Sequence, residues 1–372
     1  MSLAIVFVTE TYPPEVNGVA MTVGRLVGGM RARGHQVRVI RPRQGNDDVG
    51  GEHEIAVGGF PLPGYPGLRF GLPAGRRLRR EWHRQRPDLV HVVTEGPLGW
   101  SAVNAARYLG IPVTSGFHTN FDRYSVHYGL GWMRPAVAAY LRTLHRRTRA
   151  TLVPTAALAA DLAGEGLPGV RVVGRGVDTD LFDPARRSAA LRQGWAAGEG
   201  PVCLYVGRLA PEKNLALIEK TFAAIQVWQP QARMVWVGDG PEARRLAAEH
   251  PDHHFAGVRV GEDLARHYAS ADLFLFPSLT ETYGNVVAEA MASGLPVLAY
   301  RSAAAAELIN DGCNGRLVSP GDEAAFRQAA IDLCGEPARL PAMGAAARRA
   351  LHGHHWAAVV ERFEAVIREA LV

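Results

Sequence analysis

Short, almost wholly apolar runs alternate with helix-length segments along this chain, and the alternation starts over once. In the first half the runs Leu3 to Val8, Gln36 to Ile40, Leu89 to Val93, Ile111 to Ser115, Thr151 to Val153 and Val170 to Val173 are strand-sized. Val19 to Ala32 and Leu98 to Leu109 read as helices between them, with Gly34 and Gly110 just past their ends, where a left-handed residue closes a helix. Strands apolar on both faces and separated by helices imply a parallel sheet covered on both sides. After a loop rich in Asp, Pro and Gly near residues 176–200 the pattern restarts. Its strands are Val202 to Val206, Arg233 to Val237, Leu273 to Phe276 and Leu295 to Ala299, and its helices include Leu215 to Val227 and Val286 to Ala292. The fold expected is α/β: two doubly wound, Rossmann-like domains, residues 1–178 and 179–355, with a final helix within 356–372 placed to return to the first domain. Open parallel sheets bind ligands at the carboxyl ends of their strands, so two such domains facing each other form a cleft.

Composition adds limits. Hydrophobic residues make up 47% of the 372 and charged residues 21%, as in an ordinary globular protein with room for two cores. No run is long and apolar enough to span a bilayer, and the first residues lack the features of a signal peptide. Cys203, Cys313 and Cys334 are odd in number and scattered, which suggests reduced thiols and a cytoplasmic enzyme. Charge is uneven. Residues 1–180 hold 22 Arg, no Lys and 14 acidic residues, a net of +8, whereas residues 181–372 hold 19 basic and 22 acidic residues, a net of −3. The basic half favours an anionic partner: phosphate, nucleic acid or a membrane surface.

The second domain carries the strongest chemical cluster. Val206-Gly207-Arg208-Leu209-Ala210-Pro211-Glu212-Lys213-Asn214 runs from a strand end toward a helix, placing Arg208 and Lys213 where both can reach a diphosphate and neutralise its charge as it leaves. The chain has only two lysines, Lys213 and Lys220, beside 39 arginines, so a compact ammonium at 213 stands out against the chain's own habit. The stretch Phe276-Pro277-Ser278-Leu279-Thr280-Glu281-Thr282-Tyr283-Gly284-Asn285 then passes from a strand through a polar loop into a helix that carries Glu289. Backbone N–H groups at such a helix start bind anions, and Gly284 admits close backbone approach. Carboxylates accept hydrogen bonds from paired hydroxyls, so Glu281 and Glu289 suit a sugar and a ribose.

These two segments resemble those of the retaining GT-B glycosyltransferases of family 4, including that group's pair of Glu residues with seven residues between them. Asn17-Gly18-Val19 resembles the family's phosphate-facing glycine loop, Gly176-Val177-Asp178 its hinge, Val237-Gly238-Asp239-Gly240-Pro241-Glu242 its second-strand turn, and Glu307 to Gly315 with Pro320-Gly321-Asp322 its closing loops. One departure is Ala303-Ala304-Ala305-Ala306, where many relatives carry glycines. The resemblance implies that Arg208 and Lys213 hold the diphosphate and that Gly18 approaches it from the other domain. It implies that Glu281, helped by the backbone of Tyr283, Gly284 and Asn285, binds the donor sugar, and that Glu289 binds the ribose. His118, in Gly116-Phe117-His118-Thr119-Asn120-Phe121-Asp122, matches the family's active-site histidine. The stretch from Phe117 to Tyr124, with His127-Tyr128-Gly129-Leu130-Gly131, resembles the bacterial GDP-mannose-dependent α-mannosyltransferases that act on glycolipids. Close relatives use UDP-sugars with diacylglycerol acceptors. The reaction implied is metal-independent transfer of a hexose, best matched by mannose from GDP-mannose, by front-face attack of an acceptor hydroxyl; the nucleotide sugar is a co-substrate and no cofactor is required.

Two features are read as structural. Asp178-Thr179-Asp180 has the form of a metal-binding Asp-x-Asp element but lies in the hinge, and His352, His354 and His355 lack a fourth ligand. A membrane-facing region is expected in the first domain. Phe60-Pro61-Leu62-Pro63-Gly64-Tyr65-Pro66-Gly67-Leu68-Arg69-Phe70 precedes Arg76, Arg77, Arg79 and Arg80, with Trp82 among the basic residues. Aromatic and apolar side chains beside clustered Arg suit a headgroup interface, so a lipid acceptor and peripheral association with the inner face of the cell membrane are expected. Three other readings remain open: transfer from a UDP-sugar to a lipid or soluble acceptor, a sugar-nucleotide epimerase on the same fold, and a non-catalytic binder of nucleic acid or other anions. Against the last, the arginines are not interleaved with a nucleic-acid module, so no nucleic-acid partner is expected.

Overall fold

Alternate residues of a strand point to opposite faces, and the first strand, β1 (Ala4–Val8), is buried on both. Its Ile5 and Phe7 join a core shared with Val23, Leu26, Val27 and Met30 of helix Gly18–Ala32, while Val6 and Val8 join a second core with Leu78, Trp82, Leu98 and Ala102. The computed structural model describes residues 1–15, 17–45, 47–61, 69–118 and 134–372. These form two units, Met1–Arg175 with Trp356–Val372, and Gly176–His355.

In the first unit β1 pairs with β2 (Gln36–Pro42), and β3 (Glu54–Val57) lies outside it. A small antiparallel pair, β4 (Gly59–Pro61) and β5 (Arg69–Gly71), follows. On the other side of β1 come β6 (Leu89–Val92), β7 (Val113–Gly116), β8 (Ala150–Val153) and β9 (Val170–Val172), giving the parallel order β3-β2-β1-β6-β7-β8-β9. The final helix, Trp356–Glu369, belongs to this unit. Phe363 stacks on Phe7 with centroids 5.6 Å apart and meets His91 edge-on at 5.0 Å. Gly29 makes room for it: a Cβ there would lie 2.4 Å from Val360 Cγ2.

The second unit repeats the plan. β10 (Val202–Val206), β11 (Arg233–Val237), β12 (His254–Gly257), β13 (Leu273–Phe276), β14 (Val297–Tyr300) and β15 (Gly315–Val318) form a parallel sheet in the order β12-β11-β10-β13-β14-β15. The outer strands β3, β12 and β15, which include Glu54, His254 and Arg316, lack the continuous apolar run that marks β1, β10, β13 and β14. β7 and β14 begin later than their apolar runs, directly after Pro112 and Pro296, which have no N–H for the ladder.

Helix Gly75–Arg84 corrects one expectation. Leu78 and Trp82, four residues apart, form its core-facing stripe, and Trp82 is fully buried against the sheet, so Trp82 is no interface residue. Arg76 and Arg80 are exposed. Arg77 Nη1 donates to the Ala56 carbonyl at 2.9 Å, and the Arg79 guanidinium lies 5.1 Å from the centre of the Tyr108 ring.

Because Phe363 fills the space over β1 and β6 from the far end of the chain, Phe363→Ala is expected to cost the first unit about 3–5 kcal/mol. Urea unfolding followed by near-ultraviolet circular dichroism would show this as an earlier first transition. An unchanged midpoint would mean that the helix is not part of that unit's core.

Candidate active site

In the second unit, strand numbers run outward from β10 in one direction and from β13 in the other, so the crossovers diverge between these two neighbours. Such a switch point leaves space at the carboxyl edge. The loops that leave there are those singled out in the sequence. β10 exits through Gly207, whose N–H bonds to Val237 O at 3.0 Å, and Leu209 N donates to Asp239 O at 2.9 Å. A Cβ on Gly238 would lie 1.9 Å from the Gly207 carbonyl oxygen, so these two strand-end turns pack backbone on backbone, as only glycine permits.

Arg208 follows, with Nη1 3.6 Å from the buried Glu212 Oε1 and its carbonyl held by the Tyr205 hydroxyl at 3.0 Å. A single 3-10 turn, Pro211–Lys213, then delivers the Lys213 ammonium to Glu281 Oε1, forming an ion pair between the loop after β10 and the loop after β13. The same oxygen accepts the Ser278 hydroxyl at 2.8 Å. Asn214, in the left-handed conformation, and Thr280, through a 3.3 Å bond to the Glu212 carbonyl, add further ties between these loops.

Past Glu281 the chain turns at Gly284 (φ 88°, ψ 67°) and starts helix Asn285–Ala292. Tyr283 is buried, and its carbonyl accepts Ala304 N at 2.9 Å. The alanine segment that departs from the family's glycines therefore supports the site loop through its backbone, with Ala303 in the left-handed region at φ 46°. Glu289, on the helix, receives a 3.0 Å hydrogen bond from the fully buried Tyr268 hydroxyl. Loss of solvent pushes its carboxyl up to about 7, and the Tyr268 bond offsets only part of that rise.

Gly18 and His118 belong to the first unit. Gly18 is exposed and opens its helix, capped by Asn17 Oδ1, which accepts Val19 N at 3.1 Å and Ala20 N at 2.9 Å. His118 follows β7, with Nδ1 against Arg175 Nη2. Its Nε2 is buried without a hydrogen-bond partner among the described residues. Burial, then the charge of Arg175, holds its pKa well below the ordinary imidazole value. The rest of its motif, Thr119-Asn120-Phe121-Asp122 with Arg123, Tyr124 and His127 to Gly131, lies outside the described residues, as do Leu62 to Leu68 of the proline-rich loop.

The structure thus brings Arg208, Lys213 and Glu281 to one sheet edge, with Tyr283, Gly284 and Asn285 beyond Glu281 and Glu289 further along the helix. Arg76, Arg77, Arg79 and Arg80 lie on a separate helix of the first unit. Ser278 stands in the loop motif with no local sign of its bond to Glu281, and nothing local marks Tyr268 or Arg175, which reach their partners only through the fold. Asp178 Oδ1 accepts Leu181 N at 3.0 Å and so closes a turn. Among the described residues, Glu219, Glu249 and His250 come within metal-ligand spacing, but Arg245 already bridges both carboxylates.

Comparison with known proteins follows the same two halves. Residues 16–181 match the model of Glycosyltransferase Family 4, and residues 200–336 match Glycosyl transferases group 1. A GDP-mannose-dependent alpha-mannosyltransferase of Mycobacterium tuberculosis is 35% identical, over 96% of this chain and 94% of that protein. An alpha-monoglucosyldiacylglycerol synthase of Streptococcus pneumoniae is 28% identical, over 83% of this chain and 74% of its own length. Among solved structures, sucrose-phosphate synthase from Thermosynechococcus elongatus superposes with a TM-score of 0.79 at 20% identity, covering 98% of both chains.

Glu289 makes a stability prediction. Its folded-state pKa of about 7 exceeds the ordinary 4.5, so folding is penalised as pH rises from 4.5, and the penalty is complete above 7. Glu289→Gln removes the charge and is expected to stabilise the second unit at pH 8 by on the order of 2 kcal/mol, with no gain at pH 4. Thermal unfolding of both proteins at the two pH values checks this. An equal difference at both would rule out the raised pKa.

Proposed function

The chain belongs to glycosyltransferase family 4, and we propose that it transfers mannose from GDP-mannose to a hydroxyl of a lipid acceptor, with retention at the sugar carbon and without a metal ion. That it is a hexosyltransferase of the GT-B fold follows from the family and from the two parallel sheets. The observation that carries the finer reading is the ion pair of Lys213 with Glu281 at the switch point. It sets a cation for a phosphate beside an acceptor for a hydroxyl, the two chemistries a sugar diphosphate presents. In this reading Arg208 and Lys213 hold the diphosphate, approached also by the backbone at Gly18. Glu281 and the Tyr283–Asn285 backbone orient the sugar, Glu289 takes the ribose hydroxyls, and His118 faces the reacting sugar. Residues 1–178, with the helix in 356–372, form the acceptor side and residues 179–355 the donor domain.

The chemistry is a balanced exchange. The acceptor oxygen forms a bond to the sugar carbon on the face that the diphosphate leaves. The bond from that carbon to the phosphate oxygen breaks, and the acceptor proton passes to the departing diphosphate. The protein contributes position and charge: Arg208 and Lys213 meet the negative charge that grows on the leaving group, the task a divalent cation performs elsewhere. The donor assignment is supported by the mycobacterial relative, named for GDP-mannose, and the lipid acceptor by the streptococcal one, named for a glucosyldiacylglycerol.

Incubation with GDP-mannose, UDP-glucose or UDP-galactose and mixed bacterial lipids, read by mass spectrometry, tests this. A mannosylated lipid that forms equally in EDTA is expected, with kcat lowered about 100-fold or more by Lys213→Ala. Glu281→Ala should lower kcat/KM about 10- to 100-fold without unfolding. Product from a UDP-sugar alone would replace the donor, and near-normal rates in both variants would remove the pair from the site.

Membrane docking is the second part of the proposal. Arg76 and Arg80 are exposed on their helix, and Phe60 and Leu72, both exposed, belong to β4 and to the residue after β5. Each Arg near an anionic surface adds about 1 kcal/mol. Sedimentation with liposomes should rise with anionic lipid and fall with salt. Changing Arg76, Arg77, Arg79 and Arg80 to Gln should weaken it while donor binding persists, and indifference of the wild type to anionic liposomes would point to a soluble acceptor.

A further inference from the structure

Arg175 closes the first of the two segments that make up the first unit, and its guanidinium meets His118 Nδ1. A guanidinium has only N–H donors, so Nδ1 must be the acceptor, and a neutral imidazole that accepts at Nδ1 carries its proton on Nε2. That Nε2–H is buried and has no partner among the described residues. Its edge of the ring rests on Gly116, where a Cβ would lie 2.3 Å from Nε2, so the ring lies on bare backbone and is held at both edges. Buried donors are nearly always paired in folded proteins. One left over among the described residues, in the residue that the proposed function turns toward the sugar, is read as a donor held for a ligand oxygen.

We infer that Arg175 is a positioning residue that locks His118 in the neutral Nε2–H tautomer, so that His118 donates a hydrogen bond to an oxygen of the bound sugar and cannot take up a proton. The chemistry excludes a base role from this geometry. Nε2 is already protonated, and the lone pair that remains, on Nδ1, is covered by a cation. The other titratable groups around the ring do not favour a charged form. His91 holds its Nδ1 3.0 Å from Thr114 Oγ1, and His145 shares its Nδ1 with Ser115 Oγ at 2.9 Å and has Nε2 3.5 Å from Glu95 Oε1. Both histidines, like Arg175, disfavour protonation of His118. The second half of the inference rests on His118 facing the sugar; the tautomer does not.

Long-range 1H–15N correlation spectra of the labelled protein report which ring nitrogen bears the proton, with His118 identified by its loss in His118→Gln. The wild type is expected to show protonated Nε2, unchanged from about pH 5.5 to 8.5, a range that an ordinary histidine titrates across. In Arg175→Met the His118 signals should begin to titrate or change tautomer, and kcat with the active nucleotide sugar should fall about tenfold, the value of one hydrogen bond, with donor KM unchanged. Arg175→Lys should recover part of the rate. His118→Gln, whose amide nitrogen reaches the Nε2 position, should retain more activity than His118→Asn, whose nitrogen reaches only Nδ1. A wild-type proton on Nδ1, or a His118 spectrum and kcat unmoved in a folded Arg175→Met, overturns the inference. The expected tautomer with equal, full activity in Gln and Asn overturns only the assignment of His118 to the sugar.

Discussion

Parallel strands must be covered on both faces, and this requirement organises each unit. A parallel neighbour can be reached only by crossing over the sheet, and apart from the β2–β3 link the crossovers here supply helices as cover. Cover on two faces demands crossovers in two directions, so in each sheet the strands run outward from a central pair: β1 with β6, and β10 with β13. Between those pairs the connecting loops part at the carboxyl edge of the sheet. The position of the site is thus a by-product of burying the sheet, before any catalytic residue is considered.

What occupies that edge runs against stability. Glu289 gives up solvent for one hydrogen bond from Tyr268. His118 Nε2 is buried without a partner among the described residues, and Ala303 holds a backbone conformation that suits glycine. The Gly207–Gly238 backbone contact and the bond from Ala304 to Tyr283 tie the loops around the second unit's edge together. Departures of this kind gather where a ligand would supply the missing partners.

The sequence is most readable where one physical term dominates. Central strands such as β1, β10, β13 and β14 are apolar on both faces and stand out as runs, whereas β3, β12 and β15 have half-polar compositions and merge with loops. Trp82 shows the opposite error: among five arginines it reads as part of a basic surface, yet its spacing from Leu78 marks the core-facing stripe, and in a helix the spacing decides. The charged residues at the switch point were legible because they sit next to strand ends in the chain. Tyr268 and Arg175 were not, because each acts on a partner brought near by a different crossover, which no local pattern encodes.

The scarcity of lysine fits the geometry. In a chain that uses arginine nearly everywhere, Lys213 and the Ser278 hydroxyl meet at the same oxygen of Glu281, Oε1. An ammonium is a point charge and can hold one carboxylate oxygen, whereas a guanidinium fork tends to bridge both. An arginine at 213 would therefore draw Oε2 into the pair as well. With lysine the ion pair and the Ser278 bond both fall on Oε1, and in the proposed reading Oε2 is the atom that accepts a sugar hydroxyl. The choice of an ammonium over a guanidinium thus fixes which carboxylate oxygen ties the loops after β10 and β13 together.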